Sequence, residues 1–271
     1  MVTPALLVEA DALGPPGAPA ALRDVRVAIA PGERVALLGG NGAGKTTLLR
    51  VAMGLLPAPG ARVEVHGKRV DGPGAAVRAG AGLLFQNPAD QLLGPTVLED
   101  VMLGPRHAGA APAEARGRAT EALAATGVAA CAGRVVEALS YGERKRAGLA
   151  GVLALGPTLL LLDEPTAGLD PAGELAVARL LREVAVARGA ALLAATHAVD
   201  VAPLFAERAL VLGEGRILAD APLREVLTDA ALLARAALRP PWVAQLWAAL
   251  RGGGPLPLTY EEALTWNASR S

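Results

Sequence analysis

Residues 39–46 read Gly-Gly-Asn-Gly-Ala-Gly-Lys-Thr and stand between the apolar run 34–38 and a helix-like stretch over 44–56. No other feature narrows the fold as far. A G-x-x-x-x-G-K-[ST] segment works only where a buried strand ends and a helix begins, because its backbone N–H groups must curl around phosphates. The expected nucleotide contacts are Gly39, Asn41, Gly42, Gly44, Lys45, Thr46 and Thr47. Lys45 would reach the β- and γ-phosphates, and Thr46 would ligate Mg²⁺. The ligand class is therefore a nucleoside triphosphate, and the architecture starts from a strand–loop–helix unit.

The rest of the chain extends that unit. Strands are expected at 6–10, 25–29, 62–67, 82–86, 158–162 and 190–196, with helices through 112–126 and 140–154. Thr96 and Glu99 have capping-box spacing for a short helix ending near Leu103. Asp170, Pro171 and Gly189 bracket a long helix, and a hairpin turns at Glu214–Gly215. Beyond Pro222 the chain reads as broken helix, punctuated by Pro240–Pro241 and by GGGPLP at 252–257. This alternation predicts a largely parallel α/β sheet with an antiparallel N-terminal part, a helical middle and a small C-terminal extension.

Composition excludes several classes. Lys plus Arg and Asp plus Glu number 26 each, so no basic excess marks a nucleic-acid partner. The basic runs at 68–69 and 144–146 are read as a turn and a solvated helix face. One cysteine, Cys131, allows no internal disulfide and suits a reducing compartment. The N-terminus lacks the pattern of a secretory leader, and apolar runs such as 158–162 are too short to span a bilayer.

Two further stretches carry chemistry. In LLLLDEP (159–165) an apolar strand delivers Asp163 and Glu164 to the phosphate side of the sheet. Asp163 can hold Mg²⁺ there, and Glu164 can orient or deprotonate the attacking water. LSYGERKRAGLAG (139–151) opens with a capping box, Ser140 to Glu143, yet places Tyr-Gly in its first turn. A helix start of that kind suits an anion better than a core.

The motifs GGNGAGKTT, FQ (85–86), LSYGERKR, LLLLDEPTAGLD and ATH (195–197) follow in this order. The chain thereby resembles the nucleotide-binding domain of ABC ATPases, over about residues 5–220. That resemblance implies a P-loop NTPase fold of the ABC type over 1–220, with a helical subdomain at about 87–155 and a helical extension at 221–271. It implies head-to-tail dimers, in which Ser140, Gly142 and Glu143 of one subunit face the ATP held by the other. It gives Gln86 a role sensing Mg²⁺ and the attacking water, His197 a contact to the γ-phosphate, and Asp170 a place at the interface.

FQNPADQLLGPTVLEDVMLGP (85–105) and the tail segments at 221–229 and 237–250 look like the ATPases of energy-coupling-factor importers. The implied partners are a second copy or a paralogous ATPase, and integral membrane subunits docking near 87–105. The implied location is the cytoplasmic face of the cell membrane, with ATP and Mg²⁺ as cofactors and no nucleic acid. Cobalt or nickel is the favoured cargo. Biotin or another vitamin, and a soluble ABC ATPase acting outside transport, stay open.

Three positions depart from the family pattern. No aromatic precedes Phe85 to stack on adenine, so Leu13 or Pro15 is expected to substitute. Tyr141 replaces the usual glycine, to pack over the partner nucleotide or to fill space. Ala198 follows His197 where an acidic residue is usual, and the nearby Asp200 is given no catalytic role. Trp242, Trp247 and Trp266 are read as anchors of the C-terminal helices or of a subunit interface.

Overall fold

The computed structural model describes residues 2–15, 17–251 and 255–268. In chain order the elements begin with β1 (Leu6–Leu13), β2 (Leu22–Ile29), β3 (Arg34–Leu38), α1 (Lys45–Ala52), β4 (Arg62–Val65), β5 (Lys68–Arg69), α2 (Ala75–Arg78) and β6 (Ala81–Leu84). They continue with α3 (Val97–His107), α4 (Pro112–Ala125), α5 (Tyr141–Ala154), β7 (Leu159–Asp163), α6 (Pro171–Arg188) and β8 (Ala191–Thr196). They close with β9 (Arg208–Gly213), β10 (Arg216–Pro222), α7 (Leu223–Thr228), α8 (Ala230–Arg235), α9 (Trp242–Arg251) and α10 (Tyr260–Ala268).

Every residue of β7 and β8 is buried, as strands covered on both faces require. They lie in a six-stranded sheet of order β10-β9-β3-β8-β7-β6, parallel except for β10 at one edge. Successive side chains enter opposite layers. Leu160, Leu162, Leu192 and Ala194 join one core with α5 and α6 residues such as Leu149 and Leu181. Leu159, Leu161, Ala191 and Leu193 join the other, with Leu48 and Leu49 of α1. The second sheet, β2-β1-β4-β5, is antiparallel and closes over that second core through Leu6, Val8, Val25 and Val27.

Several boundaries differ from expectation. α1 stops at Ala52 rather than at 56, because Gly54 turns the chain at φ +71 and a Cβ there would lie 2.5 Å from the Gly72 carbonyl. α3 runs on to His107. Thr96 does cap it, accepting from the Glu99 N–H at 3.4 Å, but the return contact is its own hydroxyl donating to the Glu99 carboxylate at 2.6 Å. A one-turn helix, α2, is additional to the expected elements.

The C-terminal helices are fastened at several points. Leu223, Val226, Leu227 and Leu233 enter the first core. Trp247 and Trp266 meet edge to face at 6.3 Å, and the Arg224 guanidinium lies 5.8 Å from the Trp266 ring. Trp242 does not anchor its helix within this chain through its side chain, the residue being 54% exposed; its backbone N–H donates to Asp200 at 2.8 Å. Gly252–Gly254 of the expected GGGPLP break lie outside the described residues. Among the described residues no helix is long and apolar enough to cross a membrane.

Candidate functional site

Parallel pairing sets Leu38 beside Thr196, Asp163 beside Ala195 and Leu84 beside Leu162. The C-terminal ends of β3, β8, β7 and β6 therefore lie on one edge, where α/β sheets bind ligands. The segments leaving those ends are the glycine loop, His197, Asp163–Glu164 and Gln86. A cleft of about 190 Å³ is lined by Asn41 to Thr47, Gln86, Asp163, Glu164 and Ala21. Gly39 lies just behind that lining, where its carbonyl accepts from Lys45 Nζ at 2.7 Å. The Gly40 carbonyl accepts from the same ammonium at 3.2 Å.

Glu164 adopts φ +48, a left-handed conformation that costs a non-glycine residue about 1–2 kcal/mol. The surroundings hold it there. Its N–H donates to the Ala195 carbonyl at 2.9 Å. One carboxylate oxygen lies 3.3 Å from Lys45 Nζ and 2.9 Å from His197 Nδ1, and the other accepts from the Thr196 hydroxyl at 3.3 Å. A buried carboxylate fixed beside an exposed histidine, at the floor of an open cleft, can take a proton from water.

Asp163 sits one residue earlier. Thr46 Oγ1 donates to its Oδ2 at 2.7 Å, while Oδ1 is buried with no hydrogen-bond partner. Burial pushes this carboxyl above its usual range, and the Thr46 bond opposes the shift. An orphaned carboxylate oxygen beside a threonine hydroxyl is a donor set that suits Mg²⁺, which takes one or two carboxylates and completes its shell with phosphate and water. Among the described residues no group of three or more His, Cys, Asp or Glu could hold a metal unaided.

Residues 22–167 match the family model described as ABC transporter. The chain is 40% identical to the energy-coupling factor transporter ATP-binding protein EcfA of Methanothermobacter thermautotrophicus, over 92% of this chain and 81% of that one. It is 42% identical to the cobalt import ATP-binding protein CbiO of Rhodobacter capsulatus, over 90% of this chain and 88% of that one. This chain belongs to the ABC transporter family. Its fold agrees with CbiO1 of Clostridium perfringens, described as part of the ABC transporter complex CbiONQ, at a TM-score of 0.75 and 33% identity, covering 86% of this chain and 94% of that one. As an ABC ATPase it binds ATP and hydrolyses it.

Not every expected residue of this ABC ATPase lines the cleft. Ser140, Gly142, Glu143 and Asp170 lie outside it, and so does His197, which meets it through the Glu164 carboxylate. The capping box is complete: the Ser140 N–H donates to Glu143 Oε2 at 2.8 Å and the Glu143 N–H to Ser140 Oγ at 3.3 Å. Those bonds, joined by Cys131 and Arg134, hold the Glu143 carboxyl down to about 2. Ser140 and Asp170 are exposed, and Asp170 caps α6 by accepting from the Gly173 N–H at 2.6 Å. Tyr141 stands over its own chain's Gly168, where an added Cβ would come within 2.6 Å of the ring.

Two readings of the sequence need correction. The 144–146 run is no solvated face, because Lys145 is only 1% exposed and its Nζ bonds the carbonyls of Gln86, Glu164 and Ala167. Helical spacing held the clue: Lys145 shares a face with Leu149 and Val152, both buried. Gln91 and Asp100, read from sequence only as part of the 85–105 stretch, also hold backbone together. Gln91 joins the Phe85 N–H to the Gly148 carbonyl, and Asp100 Oδ1 accepts from Leu93 and Gly94, so the path from Gln86 to α3 is stitched throughout.

Leu13 cannot replace the adenine-stacking aromatic, since it is the last residue of β1, 1% exposed and packed in the core; Pro15 is exposed. Without an aromatic plane, GTP should bind within about threefold of ATP. Pro15→Tyr should tighten ATP by about fivefold or more, from a stacking contribution on the order of 1 kcal/mol. Titration with fluorescent analogues of both nucleotides checks this.

Proposed function

We propose that this chain is the ATP-hydrolysing subunit of an energy-coupling-factor type importer, working as a dimer on the cytoplasmic face of the membrane. The observation that carries the reading is the meeting of Lys45, Thr46, Asp163 and Glu164 in one cleft, with the Ser140 helix start turned to the surface outside it. In this reading residues 1–220 form the nucleotide-binding domain, 87–155 its helical subdomain, and 221–271 an extension.

The residues take distinct roles. The backbone of Gly39, Asn41, Gly42 and Gly44, with Thr47, cradles the phosphates, and Lys45 meets the β- and γ-oxygens. Thr46, Asp163 and Gln86 would hold Mg²⁺, which when bound neutralises charge on the phosphate oxygens. Glu164 accepts the proton of the attacking water, and His197 orients Glu164 and meets the γ-phosphate. A second copy supplies Ser140, Gly142 and Glu143 from the far side, with Asp170 at the seam.

Membrane subunits dock near 87–105. Leu93 there is 81% exposed, while Asp100 holds the Leu93–Gly94 turn and Gln91 ties the segment to α5. A push at this surface therefore has a direct path to Gln86. Cobalt or nickel is the favoured cargo, and the relative named for cobalt import supports the first of these.

The test is ATP-dependent dimerisation of Glu164→Gln by light scattering. Mg-ATP should convert monomer to dimer, and adding Ser140→Arg should abolish the dimer while ATP still binds. A monomer with ATP bound, in the presence of the membrane subunits as well, would exclude the trans contact.

A further inference from the structure

Lys145 is the one buried lysine outside the glycine loop among the described residues, and the reading above gives it no task. Its ammonium has three N–H donors. They go to three carbonyls: Gln86 at 3.3 Å, Ala167 at 3.2 Å and Glu164. These belong to two segments, one leaving β6 and one leaving β7. Lys145 itself stands on α5, five residues after Ser140. The side chain thus joins the helix start that faces outward to the backs of the loops that line the cleft.

The Glu164 peptide is where this matters most. Its φ of +48 must be imposed by neighbours. Lys45, His197 and Thr196 hold the carboxylate, and Ala195 holds the N–H. The carbonyl is held by Lys145. Tyr141, one turn earlier on α5, covers Gly168 and lies 5.8 Å by its ring from Lys145 Nζ. The same helix turn therefore grips the 164–168 loop at two places.

We propose that Lys145 is a positioning residue for hydrolysis: it fixes the Glu164 carbonyl and the Gln86 and Ala167 backbones to the Ser140 helix, so that the helix position sets the aim of the Glu164 carboxylate. This rests on Glu164 being the base. A purely structural part is a poor account of the residue. The ammonium is almost wholly out of water, so the charge is held there against its desolvation. An apolar side chain of like length would fill the space without that opposition.

The experiment compares Lys145→Met and Lys145→Gln with the parent and with Glu164→Gln, in the full chain, by phosphate release over a range of ATP concentrations. Lys145→Met should lower kcat by about 30- to 100-fold, the effect of a small misplacement of a reacting group, with KM within about threefold. Its melting temperature should fall by only a few degrees, since three carbonyls lose a donor while a desolvated charge is removed with it. Lys145→Gln keeps two N–H donors and should fall between them in kcat, giving a readout that does not depend on Lys145→Met folding. A kcat near the parent's in both variants overturns the proposal while leaving Glu164 as base, provided Glu164→Gln is inactive. A loss of ATP affinity or of melting temperature that matches the loss of kcat assigns Lys145 to the fold alone and overturns it too. An active Glu164→Gln overturns the base assignment and this inference together.

Discussion

Turnover of Glu164→Gln should fall by about 1000-fold while its affinity for ATP stays within about threefold of the parent, the pattern of a lost general base. The amide keeps the length and one acceptor oxygen, so the Thr196 and His197 contacts can persist. What it loses is the capacity to take a proton and the negative charge 3.3 Å from Lys45. Removing that charge frees Lys45 to face phosphate, so binding does not weaken. Phosphate release at saturating ATP, together with a nucleotide titration, separates the two quantities. If Glu164→Gln kept a tenth or more of parental turnover, about 1.4 kcal/mol in the barrier, the base would lie elsewhere. His197, half exposed and 2.9 Å from the Glu164 carboxylate, would be the next candidate.

The position of the glycine loop was legible because it is local. Eight consecutive residues, bounded by a buried strand and a helix, contain the whole arrangement, and the structure needs only to place them at a strand end. Asp163 and Glu164 were legible for the same reason, since LLLLDEP announces its own strand. What could not be read was which distant groups each side chain would meet. Lys145 stands in the run Arg-Lys-Arg, and charge alone suggested solvent; its three carbonyl partners lie 19 to 59 residues away in sequence. Leu13 failed as a base platform because β1 continues three residues past the expected end, turning Leu13 into the core. The left-handed Glu164 was invisible too, because no residue type there signals a positive φ.

Lys45→Met should weaken ATP binding by about 100-fold, close to 3 kcal/mol, since a charge-assisted contact to phosphate contributes about 1.5–3 kcal/mol and the cradle loses its organising cation as well. Lys45 Nζ draws the Gly39 and Gly40 carbonyls inward, so its loss loosens the loop that it serves. Stability should change separately. Lys45 and Glu164 are both almost wholly buried, and removing one partner of such a pair leaves the other charge uncompensated, at a cost of about 3–5 kcal/mol. His197 and Thr196 remain beside Glu164, which places the expected loss at the low end of that range. The double variant Lys45→Met/Glu164→Gln removes the stranded carboxylate and should recover most of the melting temperature. It should not recover ATP binding. Thermal melting and nucleotide titration on the parent, both single variants and the double variant complete the cycle. Recovery of both quantities would mean that Lys45 acts only through Glu164, and that the cradle binds phosphate by its backbone alone.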